Sequence, residues 1–103
     1  MAYKVLQSDS SELDLDKILT YIAEKLSTPK AAADFADALD EKYEALERQP
    51  YMYELSRNKR LARLGYRRIV IDNYIALYLV NDERREVIIA RIFYGKQNYE
   101  RFI

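Results

Sequence analysis

Hydrophobic positions follow a helical period in the first half of the chain and crowd into short β-rich runs in the second. Leu15, Ile18, Leu19, Ile22 and Leu26 form one stripe of a 3.6-residue repeat. Ser11 with Asp14 three residues on has the form of a capping box, so the first helix is expected to start there. Glu12, Asp14 and Asp16 would then suit the positive end of its dipole. Thr28-Pro29 opens a second helix, because proline's missing N–H costs nothing at the first helical position. Its stripe is Phe35, Leu39, Tyr43 and Leu46, running to about Arg48, with Ala32 and Ala36 small enough to let the first helix approach. So short a turn makes the two helices an antiparallel hairpin. Before them, residues 3–7 alternate briefly as a strand. After them, residues 51–65 lack a clean period and read as a basic connection. Residues 66–71, 74–80 and about 86–94 are three strands rich in Val, Ile and aromatic residues.

The pattern therefore predicts an α+β fold in a single domain over residues 1–103: an N-terminal strand, a helical hairpin, and a C-terminal antiparallel meander packed on the helices. A two-residue turn at Asp72-Asn73 sets Ile71 opposite Tyr74 and Arg67 opposite Tyr78. A four-residue turn after Val80 sets Tyr78 opposite Val87 and Tyr74 opposite Arg91. One face then carries Val70, Ile75, Leu77, Leu79, Ile88, Ala90 and Ile92, and is expected to lie under the helices. The other carries Arg67, Ile69, Tyr74, Ala76, Tyr78, Val80, Val87, Arg91 and Phe93, and is expected to stay open.

Composition narrows the chemistry. The 103 residues contain no Cys and no His, which removes disulfides, thiolates, imidazole bases and the zinc sites built from them. Neither a bilayer-length apolar run nor a signal-peptide core is present, so a membrane or secretory role is not expected and the cytoplasm is. The net charge is zero but segregated: residues 1–56 hold 6 Lys/Arg against 12 Asp/Glu, and residues 57–103 hold 11 against 5. If the halves form different faces, the second offers a basic surface to a polyanion or an acidic peptide.

On the expected open face, Arg67 and Arg91 are the leading candidates for a site. Guanidinium groups stay charged and fork onto phosphate oxygens, which suits them to hold a polynucleotide backbone and to neutralise charge at phosphorus. Tyr74, Tyr78, Tyr94 and Tyr99 surround them in this arrangement, offering rings for stacking bases and hydroxyls for proton transfer. Lys59, Arg60 and Arg63 lie in the connection beside that face. The plainer reading is that arginine and tyrosine are simply good residues for a sheet surface. The acidic run from Asp34 to Glu47 reads as the solvated side of the second helix, and no metal or other cofactor is expected.

The order of elements, together with the segments Leu13-Asp14-Leu15-Asp16-Lys17-Ile18-Leu19, Leu46-Glu47-Arg48-Gln49-Pro50, Gly65-Tyr66-Arg67-Arg68-Ile69 and Arg91-Ile92-Phe93-Tyr94-Gly95-Lys96, resembles the RelE/ParE toxin superfamily of bacterial type II toxin–antitoxin modules. The resemblance covers nearly the whole chain. It implies a growth-arresting toxin, neutralised by a cognate antitoxin and reaching promoter DNA only through the antitoxin complex. One branch consists of metal-free endoribonucleases that cut messenger RNA on the ribosome; the other poisons DNA gyrase without nuclease activity. For the nuclease branch, the resemblance implies that Arg67 and Arg91 neutralise the scissile phosphate and that Tyr94 or Tyr99 supplies acid–base function. Lys59, Arg60, Arg63, Tyr78 and Lys96 would contact RNA. Charge asymmetry and the Arg/Tyr face favour RNA cleavage. The missing histidine and the Ala-rich second helix point to the gyrase branch, so the expectation is a metal-free mRNA endoribonuclease, with gyrase inhibition as the alternative.

Overall fold

The computed structural model describes residues 2–25 and 28–96. Strand β1 (Lys4–Gln7) leads into helix α1 (Asp9–Thr20), whose last turn widens into a π-helical turn over Tyr21–Lys25. Helix α2 (Pro29–Arg48) and a short helix α3 (Lys59–Arg63) precede strands β2 (Arg67–Ile71), β3 (Tyr74–Asn81) and β4 (Glu86–Tyr94). The sheet order is β1-β4-β3-β2, with β1 parallel to β4 and the meander antiparallel. Among the described residues no helix is long and apolar enough to cross a membrane.

The first helix begins earlier than the capping box predicts. Ser8 is the cap: its hydroxyl oxygen accepts the Ser11 N–H at 3.0 Å and donates to the Ala90 carbonyl at 2.8 Å, while its own N–H bonds Ile89. One side chain thus ends β1, starts α1 and anchors both to β4. Ser11 is fully buried in the first turn, and Asp14, the expected partner of a Ser11 cap, points elsewhere. In α2, Pro29 stands at the start as predicted, but Thr28 makes no side-chain cap and bonds the Ile22 carbonyl instead.

The core lies between α1/α2 and one face of the sheet. Ile18, Ile22, Phe35, Leu39 and Leu46 pack on Ile69, Ala76, Tyr78, Val87, Ile89 and Ile92. Among the described residues the opposite face receives α3, whose Leu61 packs on Leu77 and Phe93 with Tyr66 and Ile75 alongside. The expected face assignment is therefore inverted: Ile69, Ala76, Tyr78 and Val87 lie under the helices, and Ile75 and Leu77 face away. Both faces carry enough apolar area to be buried, so alternation alone fixes which residues share a face and not which face the helices cover.

The first hairpin has the predicted register, with Ile71 opposite Tyr74 and Arg67 opposite Tyr78. The second turn comes one residue later than predicted, since Asn81 still pairs with Glu86; this moves each partner by two positions and leaves the faces unchanged. A bulge then changes them. Tyr78 pairs with Ile89 but Leu77 with Arg91, so Ala90 is an extra residue and positions 91–94 exchange faces relative to the expected alternation. Ile92 enters the core and Phe93 joins the α3 side.

Candidate functional site

Arg67 and Arg91 sit on strands separated only by β3, yet they start from opposite faces. Arg67 pairs with Tyr78, a core residue on the helical face, while Arg91 pairs with Leu77, whose side chain packs against α3. Directly opposed residues share a face. The common arginine patch expected from sequence therefore does not form, because the bulge at Ala90 turns Arg91 over.

Each guanidinium is engaged within the chain. Arg67 Nη1 donates to the Tyr53 carbonyl at 2.7 Å, and its guanidinium lies 5.0 Å from the Tyr51 ring centre. The segment after α2 supplies these partners because it runs along the β2 edge, where Leu55 bridges to Arg67. Tyr51 is held in turn by Asp82, whose two carboxylate oxygens accept from Tyr51 at 2.5 Å and from Tyr3 at 2.6 Å. Those hydrogen bonds push both phenols above the usual tyrosine value and hold the Asp82 carboxyl below the usual carboxylate value.

Arg91 reaches over the β4 edge to α1. Its Nε and Nη2 donate to Asp14 Oδ2 and Oδ1 at 2.8 and 2.9 Å, and Oδ2 also accepts the Ile92 N–H at 3.0 Å. Hydrogen bonding to that carboxylate raises the Arg91 guanidinium further above neutrality. The pair sits at the rim of a groove of about 550 Å³ that includes Lys17, Tyr21, Tyr74 and Tyr94. Tyr94 is exposed and meets Tyr74 edge-on at 5.8 Å, so the structure does bring Arg91 and Tyr94 to one place.

The other candidates scatter. Tyr78 is fully buried and its hydroxyl donates to the Pro50 carbonyl at 3.0 Å, so its ring is not available to stack on a base. Burial pushes its phenol up to about 12. Lys59, Arg60 and Arg63 share α3 on the second face, away from Arg67's partners, and Lys96 is exposed after β4. Tyr99 lies outside the described residues.

Two residues that the sequence did not single out are important here. Asp14 had been assigned to helix capping and the dipole, and no local signal pairs it with a residue 77 positions away. Arg68 stands one position from Arg67 and so faces the other way, opposite Leu77 on the α3 side. Only 14% of its side chain is exposed, its Nη2 donates to the exposed Glu54 at 3.3 Å, and its Nε has no hydrogen-bond partner among the described residues. Strand parity, applied with the correct face, would have found it.

The fold recurs in solved toxins. The chromosomal ParDE toxin–antitoxin system of P. aeruginosa contains a chain that superposes with a TM-score of 0.71 at 18% identity, covering 92% of this chain and 98% of that one. A chain of the RelBE2 toxin–antitoxin complex of Mycobacterium tuberculosis gives 0.63 at 21% identity, with 91% and 92% covered. A double arginine-to-alanine mutant of the E. coli toxin RelE in the free state gives 0.65 at 15% identity, with 93% and 86% covered. No curated protein matches the sequence. The family model for the ParE toxin of the type II toxin–antitoxin system parDE matches residues 5–99. With that match spanning almost the whole sequence, the chain belongs to the ParE toxin family of type II toxin–antitoxin systems, within the RelE/ParE superfamily.

Proposed function

We propose that this toxin arrests growth by binding a protein target, with DNA gyrase the target implied by the ParE-like branch, and that it does not cleave RNA. The observation that carries this reading is that Arg67 and Arg91 start from opposite faces and are engaged at different places, Arg67 by the segment after α2 at the β2 edge and Arg91 by Asp14 of α1. A phosphodiester-cleaving site needs cationic groups converging on one phosphate before the nucleophile attacks. An arginine held by a bidentate carboxylate would have to give up that pairing to receive a phosphate. The buried Tyr78 and the absence of histidine weigh the same way. In this reading a cognate antitoxin neutralises the toxin in the cytoplasm and alone brings it to promoter DNA. The M. tuberculosis neighbour is a toxin–antitoxin complex, which supports such a partner.

The test is induction of the wild type and of the Arg67→Ala variant, with RNA 5′ ends mapped in cells and supercoiling by purified gyrase measured in parallel. We expect intact transcripts and inhibited supercoiling. Codon-phased cuts that vanish in the variant would restore the nuclease reading, and normal supercoiling with wild-type toxin would remove gyrase as the target.

A further inference from the structure

The groove between α1 and β4 is walled on the helix side by Asp14, Lys17, Ile18 and Tyr21, which recur at the three- and four-residue intervals of one helix face. Tyr94 and, directly across from it, Tyr74 supply the sheet side, with Ile92 behind them in the core. The planes of the Tyr74 and Tyr94 rings stand at 76° with centres 5.8 Å apart, so the two rings form a corner. Tyr21, where the π-helical turn begins, is 50% exposed, and Tyr94 is 41% exposed. Rings left this open in a concave site hold apolar area that a ligand can cover. The charges of the groove do not cancel. Asp14 is taken up by Arg91 and the Ile92 N–H through three hydrogen bonds. Lys17 makes no ion pair among the described residues, so it leaves their groove side chains with one net positive charge. The hydroxyls of Tyr21, Tyr74 and Tyr94 likewise find no hydrogen-bond partner among the described residues. Burial, with Tyr21 and Tyr94 adding to it, raises the Tyr74 phenol above the usual tyrosine value, so it stays an O–H donor.

We propose that this groove binds a small planar aromatic molecule bearing a single carboxylate, its rings against the tyrosines and its carboxylate at Lys17. Size, shape and charge each select that class. A volume of about 550 Å³ is in the range of small-molecule sites. Three tyrosine rings favour a flat aromatic partner over an aliphatic one. Lys17 supplies the charge-assisted donor for one anionic group, with a tyrosine O–H as a second donor. The Arg91–Asp14 pair stays intact, because the ligand takes only donors that the chain leaves open. A polyanion such as a nucleic-acid backbone fits poorly, since the adjoining hollow past Lys17 and Tyr21 holds Asp16 and Glu24 against Lys25, a net negative charge. The inference goes beyond the toxin's action on its target and does not depend on which target that is.

The test follows the ring resonances of Tyr21 and Tyr94 in carbon-labelled full-length protein, assigned by their loss in Tyr21→Phe and Tyr94→Phe. The protein is titrated with 2-naphthoate and, separately, with the uncharged 2-naphthamide, the cationic 2-naphthylmethylammonium and octauridylate. The expected result is a saturable shift of both resonances by 2-naphthoate, which should bind about fivefold more tightly than the amide, with the cation weaker still. Lys17→Met should abolish the preference for the carboxylate and leave the amide's affinity unchanged, a split that a merely structural role for Lys17 would not produce. Tyr94→Ala should weaken 2-naphthoate about tenfold. If Tyr94→Ala does not fold, Lys17→Met, at an exposed position, still decides the matter. Unsaturable shifts, equal affinity for the three naphthyl compounds, a carboxylate preference that survives Lys17→Met, or tighter binding of octauridylate than of 2-naphthoate would each overturn the proposal. So would shifts of both resonances with protein concentration alone, which would give the groove to a second copy of the chain. Gyrase and RNA cleavage enter none of these readouts, so failure here is separable from failure of the proposed toxin activity.

Discussion

Asp14 grips Arg91 with both carboxylate oxygens, at 2.8 and 2.9 Å, and with one of them also takes the Ile92 N–H, so a single α1 side chain closes the β4 edge beyond the end of β1. Parallel pairing with β1 stops at Ile89, and β4 runs on for five residues to Tyr94. A carboxylate that substitutes for a missing strand both satisfies the backbone and fixes α1 against the sheet.

Replacing Asp14 with alanine removes the bidentate carboxylate from the partly buried Arg91 and the acceptor from the Ile92 N–H. The expected cost is about 2–3 kcal/mol, and about half that for Asp14→Asn, which keeps one acceptor. Urea unfolding measures it. Arg91→Ala should cost much less in the Asp14→Ala background than in the wild type, since the two act as a unit.

Tyr78→Phe removes the hydrogen bond to the buried Pro50 carbonyl and should destabilise by about 1–2 kcal/mol in the same assay. Its folded phenol is raised to about 12 by burial. A raised folded value gives stability that is complete below the unfolded tyrosine value near 10 and lost as pH climbs through the folded one. Stability should therefore fall above about pH 10, less steeply in Tyr78→Phe than in the wild type.

Asp82 joins the N-terminal strand, the segment after α2 and the β3–β4 turn through Tyr3 and Tyr51. Its carboxyl is held below the usual value by those hydrogen bonds, so its contribution is present above the unfolded value of about 3.9 and disappears as pH falls through the folded one. The difference in thermal midpoint between wild type and Asp82→Asn should thus shrink between about pH 5 and pH 3. A difference that stayed constant over that range would show that ionised Asp82 is not what closes the clasp.

Asp72 opens the β2–β3 turn with φ of 51°, in the left-handed region that glycine enters without strain. Asp72→Gly is expected to raise stability by about 0.5–1 kcal/mol, read from the denaturant midpoint with an unchanged slope.

Much of the fold could be read from the residues because it is written in local periods. The α1 stripe from Leu15 to Ile22, the α2 stripe, Pro29 at a helix start and the Asp72-Asn73 hairpin depend on neighbours within a few positions, and each is found where expected, while Leu26 lies outside the described residues. The site was less legible. Arg67 was correctly placed opposite Tyr78, but its partners come from a segment that has no period of its own. Arg91 was placed on the correct strand but on the same face as Arg67, because nothing in the run of residues 86–94 announces a bulge at Ala90.

Sequence by itself determined the order of elements, the apolar stripe of each helix, the segregation of charge and the membership of most sheet rows, since these follow from side-chain spacing along a regular backbone. Tertiary structure alone decided which face of the sheet the helices cover, where β4 slips by one residue, and that Asp14 rather than a ligand holds Arg91. Those outcomes turn on comparing two faces of similar hydrophobicity and on contacts far apart in the chain. Small differences in packing and one added residue settle such choices, and no local pattern records them.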